Sequence, residues 1–279
     1  MRISVIIPAF NAASTIEQTL QSVLDQTTLP FEVIVVDDGS TDRTSVVVHE
    51  FTGLPIKVLT QSNQGLGAAR NAGMEIATGE AYAFLDADDL WISTKLEVAF
   101  NALRAHENTD WFYTPILEWD GENKRKRSCP KIHSIEDFLA YNPIVPSTVV
   151  MRNTLAFQWE HRRSMQEDVG AYLKLFTKGV YPRRIPQIGT LYRVDYGMTQ
   201  DLDDHYLKVF NAVDDALKNG FLTETQFALY KVRKSYEAAR TYRKRGDQDS
   251  RHIWKSKLKE AEKKCHIPLK LRLRIWLLA

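Results

Sequence analysis

Four short apolar runs recur between residues 3 and 86, and each of the first three is followed by residues spaced for a helix. RISVIIPAF is a β-branched run that ends at a proline, the mark of a buried strand. NAASTIEQTLQSVLDQT follows, with Ile16, Leu20, Val23 and Leu24 on one helical face. Ser14 is the expected N-cap, with Glu17 as its capping-box partner. FEVIVVDDGSTD is a second strand, TDRTSVVVHEF a second helix and PIKVLTQ a third strand. NQGLGAARNAGMEIATG places small residues along a loop and a helix start, and AYAFLD is the fourth strand. This alternation predicts an α/β fold: a doubly wound, mainly parallel sheet with helices on both faces. Ligands of such sheets bind at the carboxyl ends of the strands. Here those ends are Pro8-Ala9-Phe10-Asn11, Asp37-Asp38-Gly39-Ser40, Gln61-Ser62-Asn63 and Asp86-Ala87-Asp88-Asp89, so polar, mostly acidic groups converge on one sheet edge.

Beyond Trp91 the pattern is mixed. LWISTKLEVAFNALRAH reads as a helix carrying Leu96, Phe100 and Leu103, DWFYTPILEW as an aromatic strand, and GENKRKRSCPK as a charged, flexible excursion. STVVMRN is another strand, EDVGAYLKLFTKG a helix ended by Gly179, and YPRRIPQIGTLYRVDYG extended chain. From about residue 200 helix formers and charge dominate, with sixteen basic against five acidic residues over 226–279. Gly246-Asp247 is expected to separate two helices of a hairpin. The expected organisation is a catalytic domain over 1–200, divided into 1–90 and 91–200, with a basic helical appendage over 201–279.

The net charge is only +2, so the chain is no polycation and no nucleic-acid partner is expected. Cys129 and Cys265 lack metal-ligand spacing, which favours reduced thiols in a reducing compartment. The N-terminal apolar run, Ile3 to Ile7, is too short for a signal peptide, and no segment approaches the roughly 20 apolar residues of a membrane span. The expected location is cytoplasmic, with peripheral membrane contact at the inner face left open.

FLDADDL, residues 84–90, sets three carboxylates within four positions at a strand end. Helix capping, or support of the neighbouring carboxylates, accounts for one of them, Asp89. A hard divalent cation, Mn2+ or Mg2+, accounts for Asp86 and Asp88, because oxygen ligands plus substrate phosphates complete its coordination. Asp37 and Asp38 suit a turn, but at an adjacent strand end they also suit reading a base or ribose. A carboxylate accepts from an imide N–H, which uracil has and cytosine lacks.

These stretches, in this order, resemble the successive motifs of family 2 glycosyltransferases with the GT-A fold, over roughly residues 1–200. Asp86-Ala87-Asp88 is similar to the family's DXD motif, and Gln166-Glu167-Asp168 to its ED motif. The resemblance implies an inverting transfer from a nucleotide-sugar, a UDP-sugar favoured, to a saccharide or lipid-linked saccharide hydroxyl. Asp168 would be the general base, with Glu167 the competitor. Pro8, Ala9, Phe10 and Asn11 would line the base, Asp38 the uracil edge, and Arg70 the base or diphosphate. Asp86 would touch ribose or metal, and Asp88 the metal. Phe10 stands where many relatives have tyrosine, and Asp195 where many have histidine.

Trp159 and the WFYTPILEW aromatics suit either sugar-stacking walls or core packing, the latter being commoner. A nucleotidyltransferase would want a basic glycine-rich loop after the first strand, and PAFNAAST offers neither Lys nor Arg. A non-catalytic sugar-binding subunit fits poorly with the intact acidic set. A processive synthase fits poorly without channel helices or a Q-x-x-R-W sequence. The tail IPLKLRLRIWLLA, residues 267–279, suggests peripheral contact with anionic lipid or a docked terminal element.

Overall fold

In the computed structural model, residues 1–194, 201–263 and 267 are described. The first four strands are β1 (Ile3–Ala9), β2 (Glu32–Asp37), β3 (Ile56–Thr60) and β4 (Ala81–Phe84). Between them run α1 (Ile16–Leu24), α2 (Thr44–Glu50) and α3 (Leu66–Ile76). The remaining strands are β5 (Leu90–Trp91), β6 (Trp111–Tyr113), β7 (Ile116–Trp119), β8 (Lys124–Lys126), β9 (Val150–Arg152), β10 (Arg183–Arg184) and β11 (Thr190–Arg193). The main sheet has the order β10-β6-β9-β4-β1-β2-β3. It is parallel except for β9, which runs antiparallel to both neighbours.

β1 pairs with β2 on one side and β4 on the other, so the strand order reverses there. That is the switch point at which α/β sheets open a ligand crevice. Alternate side chains of β1 serve opposite layers. Val5 and Ile7 pack with Leu20 and Val23 of α1, while Ile6 packs with Phe84 and Trp159. All seven are wholly buried or nearly so, each stabilising the fold by about 1.5–3 kcal/mol. Gly67 in α3 permits the closest helix approach, since a Cβ there would lie 1.9 Å from the Glu160 carbonyl oxygen.

Four sequence expectations are corrected. The N-cap of α1 is Thr15, not Ser14, and no side-chain cap bond forms there. Leu90 and Trp91 are strand, not helix: α4 (Lys95–Ala105) begins after Thr94, and Trp91 pairs with Thr190. The charged 121–131 excursion contains β8, paired antiparallel to β7. Its cations suit an exposed edge, which charge protects from further pairing. The aromatic strand also breaks in two at Thr114-Pro115. β5, β11, β7 and β8 thus form a second, four-stranded sheet that the sequence reading did not contain.

Helix α5 (Ile135–Ala140) and the 3-10 turn Pro146–Thr148 connect to β9, and α6 (Glu167–Thr177) follows. The C-terminal region is helical: α7 (Leu202–Lys218), α8 (Glu224–Arg245) and α9 (Gln248–Glu262). Gly246 adopts φ 76° as the left-handed cap of α8, and the Asp247 carboxylate caps α9. These make the expected hairpin. Val209 and Val213 of α7 share a core with Trp111 and Tyr172, so the compositional change at residue 200 is not a boundary between cores. Among the described residues no helix is long and apolar enough to cross a membrane. Asp195, Cys265 and tail residues 268–279 lie outside the described residues.

Candidate active site

The carboxyl ends of β1 and β4 bring the expected residues to one edge. Pro8 and Ala9 close β1 opposite Val36 and Asp37. Phe10 follows and is 45% exposed, which leaves its ring open for stacking. Asn11 takes a left-handed conformation, φ 50°. Its amide N–H donates to Ser40 Oγ (3.0 Å), and its Oδ1 accepts from the Thr41 amide (2.8 Å). The first-strand loop and the DDGS turn are therefore fastened together.

Asp38 is buried and holds the next loop. Its Oδ1 accepts from Gln61 Nε2 (2.7 Å) and the Gln64 amide (2.8 Å), and its Oδ2 from the Gly65 amide (2.7 Å). Of about four acceptor positions on a carboxylate, one remains. Asp37 is the turn-maker, accepting from the Ser40 amide at 2.9 Å.

The acidic turn after β4 is braced by Ser147 and Arg193. Ser147 Oγ donates to Asp89 Oδ2 (2.5 Å) and accepts from the Asp86 amide (3.1 Å). The Arg193 amide donates to Asp89 Oδ1 (2.9 Å), and Arg193 Nε to the Asp88 carbonyl (2.8 Å). Asp89 is thus a buried support and not a helix cap. Burial and the neighbouring Asp88 and Asp86 charges raise its pKa well above the usual carboxylate range. Burial, then Asp86, pushes Asp88 up to about 6.

Arg70, expected near the base or diphosphate, has a wholly buried side chain. Nη2 donates to Asp86 Oδ1 (2.5 Å) and Nη1 to Glu167 Oε1 (3.0 Å), with the guanidinium 4.8 Å above the Trp159 ring. Burial opposes the charge, but Asp86 and Glu167 outweigh it and raise the Arg70 pKa. Asn71 adds a two-way pairing with the Trp159 backbone (2.9 and 3.0 Å). Helix α3 therefore ties the acidic turn to the start of α6. Trp159 is core, edge-on to Phe84 at 4.9 Å, and is no sugar wall.

Asp168 sits in the first turn of α6, buried, with its Oδ1 accepting from the Val169 amide (2.7 Å). Burial, then the Glu167 charge, pushes it up to about 7. Glu167 is committed to Arg70, whereas among the described residues no cation forms a salt bridge with Asp168. Sequence reasoning missed Ser147, Asn71 and the bracing role of Arg193. Their only local signals were the Pro146-Ser147-Thr148 turn, the small-residue helix and the YR dipeptide.

The donor set at the acidic turn is all hard oxygen, and two crowded carboxylates suit one divalent cation. Among the described residues no group of three or more His, Cys, Asp or Glu forms a metal cluster. A cation held here therefore needs substrate oxygens as well.

The family model "Glycosyl transferase family 2" matches residues 4–158. The chain belongs to glycosyl transferase family 2. It is similar to the Escherichia coli UDP-Glc:alpha-D-GlcNAc-diphosphoundecaprenol beta-1,3-glucosyltransferase WfaP, 30% identical over 196 residues, 70% of this chain and 78% of that protein. The S. aureus TarS 1–349 structure in complex with UDP-GlcNAc superposes at a TM-score of 0.68 with 20% identity, covering 99% of this chain and 84% of that one. This chain spans 50% of the longer TarS chain. The mannosyltransferase PcManGT from Pyrobaculum calidifontis, in complex with GDP-Man and Mn2+, superposes at 0.62 with 18% identity, covering 99% and 84%. This family 2 enzyme is a glycosyltransferase with the GT-A fold.

Proposed function

We propose that the enzyme moves a sugar from a UDP-sugar to a hydroxyl of a saccharide carried on a lipid diphosphate, with inversion. The observation that carries this reading is Arg70, which pairs with Asp86 and Glu167 at once. It seats the base-bearing turn of α6 against the acidic turn at the sheet's switch point. Asp168 Oδ takes the acceptor hydroxyl proton. The freed oxygen pair attacks the anomeric carbon as the bond to the diphosphate oxygen breaks, and the diphosphate leaves. Phe10 stacks on the base, while Pro8, Ala9 and Asn11 shape its pocket. Arg70 acts through Asp86 and Glu167 as a positioning residue. Asp86 and Asp88 would hold Mn2+ or Mg2+, which supplies neutralising charge to the leaving diphosphate.

WfaP, by its name, acts on a diphosphoundecaprenol-linked sugar, which supports the acceptor class and a role in surface polysaccharide synthesis. The test is a donor screen. The protein is incubated with Mn2+, UDP-, GDP- and dTDP-sugars and a diphospholipid-linked N-acetylglucosamine, and the product's anomeric configuration is read by NMR. Retention of configuration would sink the single displacement. A lipid-linked acceptor also places the enzyme at a membrane surface. Co-sedimentation with anionic vesicles at low salt is the expected result, and a protein that stays in the supernatant contradicts it.

Nucleotide choice gives a further expectation. The remaining acceptor position of Asp38 takes the uracil N3–H, so UDP binds more tightly than CDP by calorimetry. Asp38→Asn narrows that gap. Because Asp38 also holds the Gln64 and Gly65 amides, the variant weakens both nucleotides. Equal affinities in the unmodified enzyme would remove Asp38 from base recognition.

A further inference from the structure

The four consecutive cations Lys124-Arg125-Lys126-Arg127 are split by the pleat of the second sheet. Register decides which way each belongs. Arg125 lies opposite Glu118, and Glu118 opposite Tyr192, so these three share a face. That face is the inner one: its neighbours Trp91, Thr190 and Ile116 are buried. Arg127 follows on the same side, its amide donating to the Ile116 carbonyl at 3.3 Å. Lys124 and Lys126 go to the other face and are exposed.

The two inner cations differ in their partners. Arg125 donates from Nε to Glu118 Oε2 at 3.0 Å, so its charge is matched. Arg127 is half-buried and bonded only to neutral oxygens. Its Nε donates to the Tyr141 hydroxyl (3.0 Å) and Nη2 to the Asn142 carbonyl (3.2 Å), with the Tyr141 ring 5.7 Å below. Among the described residues no carboxylate pairs with it, and Nη1 carries no hydrogen bond. Burial opposes its charge, while Tyr141 and the Glu118 carboxylate favour it without Glu118 touching the guanidinium, which can therefore still pair with an arriving anion directly.

Tyr192 is on β11, between β5 and β7 in the strand order and opposite Glu118. Burial, then the Asp89, Asp86 and Asp88 charges, raises the Tyr192 pKa, while Arg127 opposes them. The strand order β5-β11-β7-β8 puts Arg127 across the second sheet from β5, which follows the acidic turn. Phe10 and Asp38, proposed to line the nucleotide, directly follow β1 and β2 of the other sheet. An anion at Arg127 therefore sits against the second sheet, apart from the strand ends that carry Phe10 and Asp38. We propose that Arg127, with Arg125 beside it, forms a subsite for the diphosphate that joins the acceptor sugar to its lipid carrier. This rests on the lipid-diphosphate acceptor proposed above. A guanidinium fork, held flat by Tyr141 and Asn142, matches a diphosphate's oxygens.

The test uses the full chain and two probes: N-acetylglucosamine α-diphosphate on a farnesyl chain, and the same sugar as a neutral alkyl glycoside. Binding is measured by calorimetry with UDP present, and transfer is measured as acceptor KM and donor KM separately. Arg127→Gln is expected to weaken the diphosphate probe about ten- to a hundredfold while leaving the neutral glycoside and the donor KM unchanged. Arg127→Lys keeps the charge without the fork and falls between. Arg125, whose side chain is 81% exposed, is replaced without risk to folding, and Arg125→Gln gives a smaller loss of the same sign. Equal binding of the two probes by the unmodified enzyme would overturn the subsite. So would an Arg127→Gln defect that appears in the donor KM. Tight diphosphate binding without any transfer keeps the subsite and strikes the proposed acceptor reaction instead.

Discussion

Asp168→Asn lowers transfer by about 10²- to 10⁴-fold while UDP binding by calorimetry is unchanged. The amide keeps the shape and the Oδ1 contact to the Val169 amide but cannot take a proton. The pH dependence separates this from a structural defect. Burial and the Glu167 charge hold Asp168 at about 7, with Arg70 opposing them and Tyr172 and Tyr230 also feeling its charge. The base works only when ionised, so kcat/KM rises with pH through about 7 and then levels off. The linkage sign follows from the same shift. The folded pKa lies above the unfolded one, so this carboxyl's contribution is full below about pH 4 and is lost as pH rises through about 7. Asp168→Asn removes that loss and is more thermostable than the parent at pH 8, with a smaller gain at pH 5. A variant that retains near-normal turnover, or that unfolds at both pH values, would take the base role away from Asp168 and leave Glu167 to be tried.

The first half of the fold was legible because its signals are local. Runs such as EVIVV are apolar on both faces, and only a parallel sheet covered by helices buries both. The convergence of Phe10, Asp38 and the acidic turn on one sheet edge followed from that alternation, whereas the switch point at β1 came only with the strand order of the structure. The second sheet was illegible for the opposite reason. Its strands are two to four residues long, and each is strand only through a distant partner, as Trp91 is through Thr190. No periodicity survives in two residues. The 90–106 segment even read as one continuous helix, since Leu96 and Leu103 fit that face. The site divides in the same way. Asp86, Asp88 and Asp168 announce themselves by motif and strand-end position. Arg70 does not, because what matters is that it meets Glu167 ninety-seven positions later. Its burial could not be read from a helix rich in small residues, although those residues are what let α3 come close enough for the contact.

The acidic turn itself gives the largest expected loss. Asp88→Ala lowers transfer by at least about a thousandfold, several kcal/mol of barrier, because the leaving diphosphate loses the charge that neutralises it. The alternative is that Asp88 only shapes the turn. The structure separates the two ideas, since the turn's shape rests elsewhere. Asp89 is fixed by Ser147 and the Arg193 amide, the Asp86 amide by Ser147, and Asp88 contributes its backbone carbonyl to Arg193. An alanine at 88 keeps that carbonyl and removes one like charge from a crowded site, so circular dichroism and melting temperature should match or exceed the parent's in metal-free buffer. Direct Mn2+ binding in the presence of UDP, followed by electron paramagnetic resonance, should be lost in the variant. Asp86→Ala should lose it too, but with a stability cost, because Asp86 also pairs with Arg70 and its removal leaves a buried guanidinium half-matched. The pair of variants thus separates a ligand from a ligand that is also a structural partner. Full turnover by Asp88→Ala with EDTA present, or undiminished Mn2+ binding, would end the metal assignment.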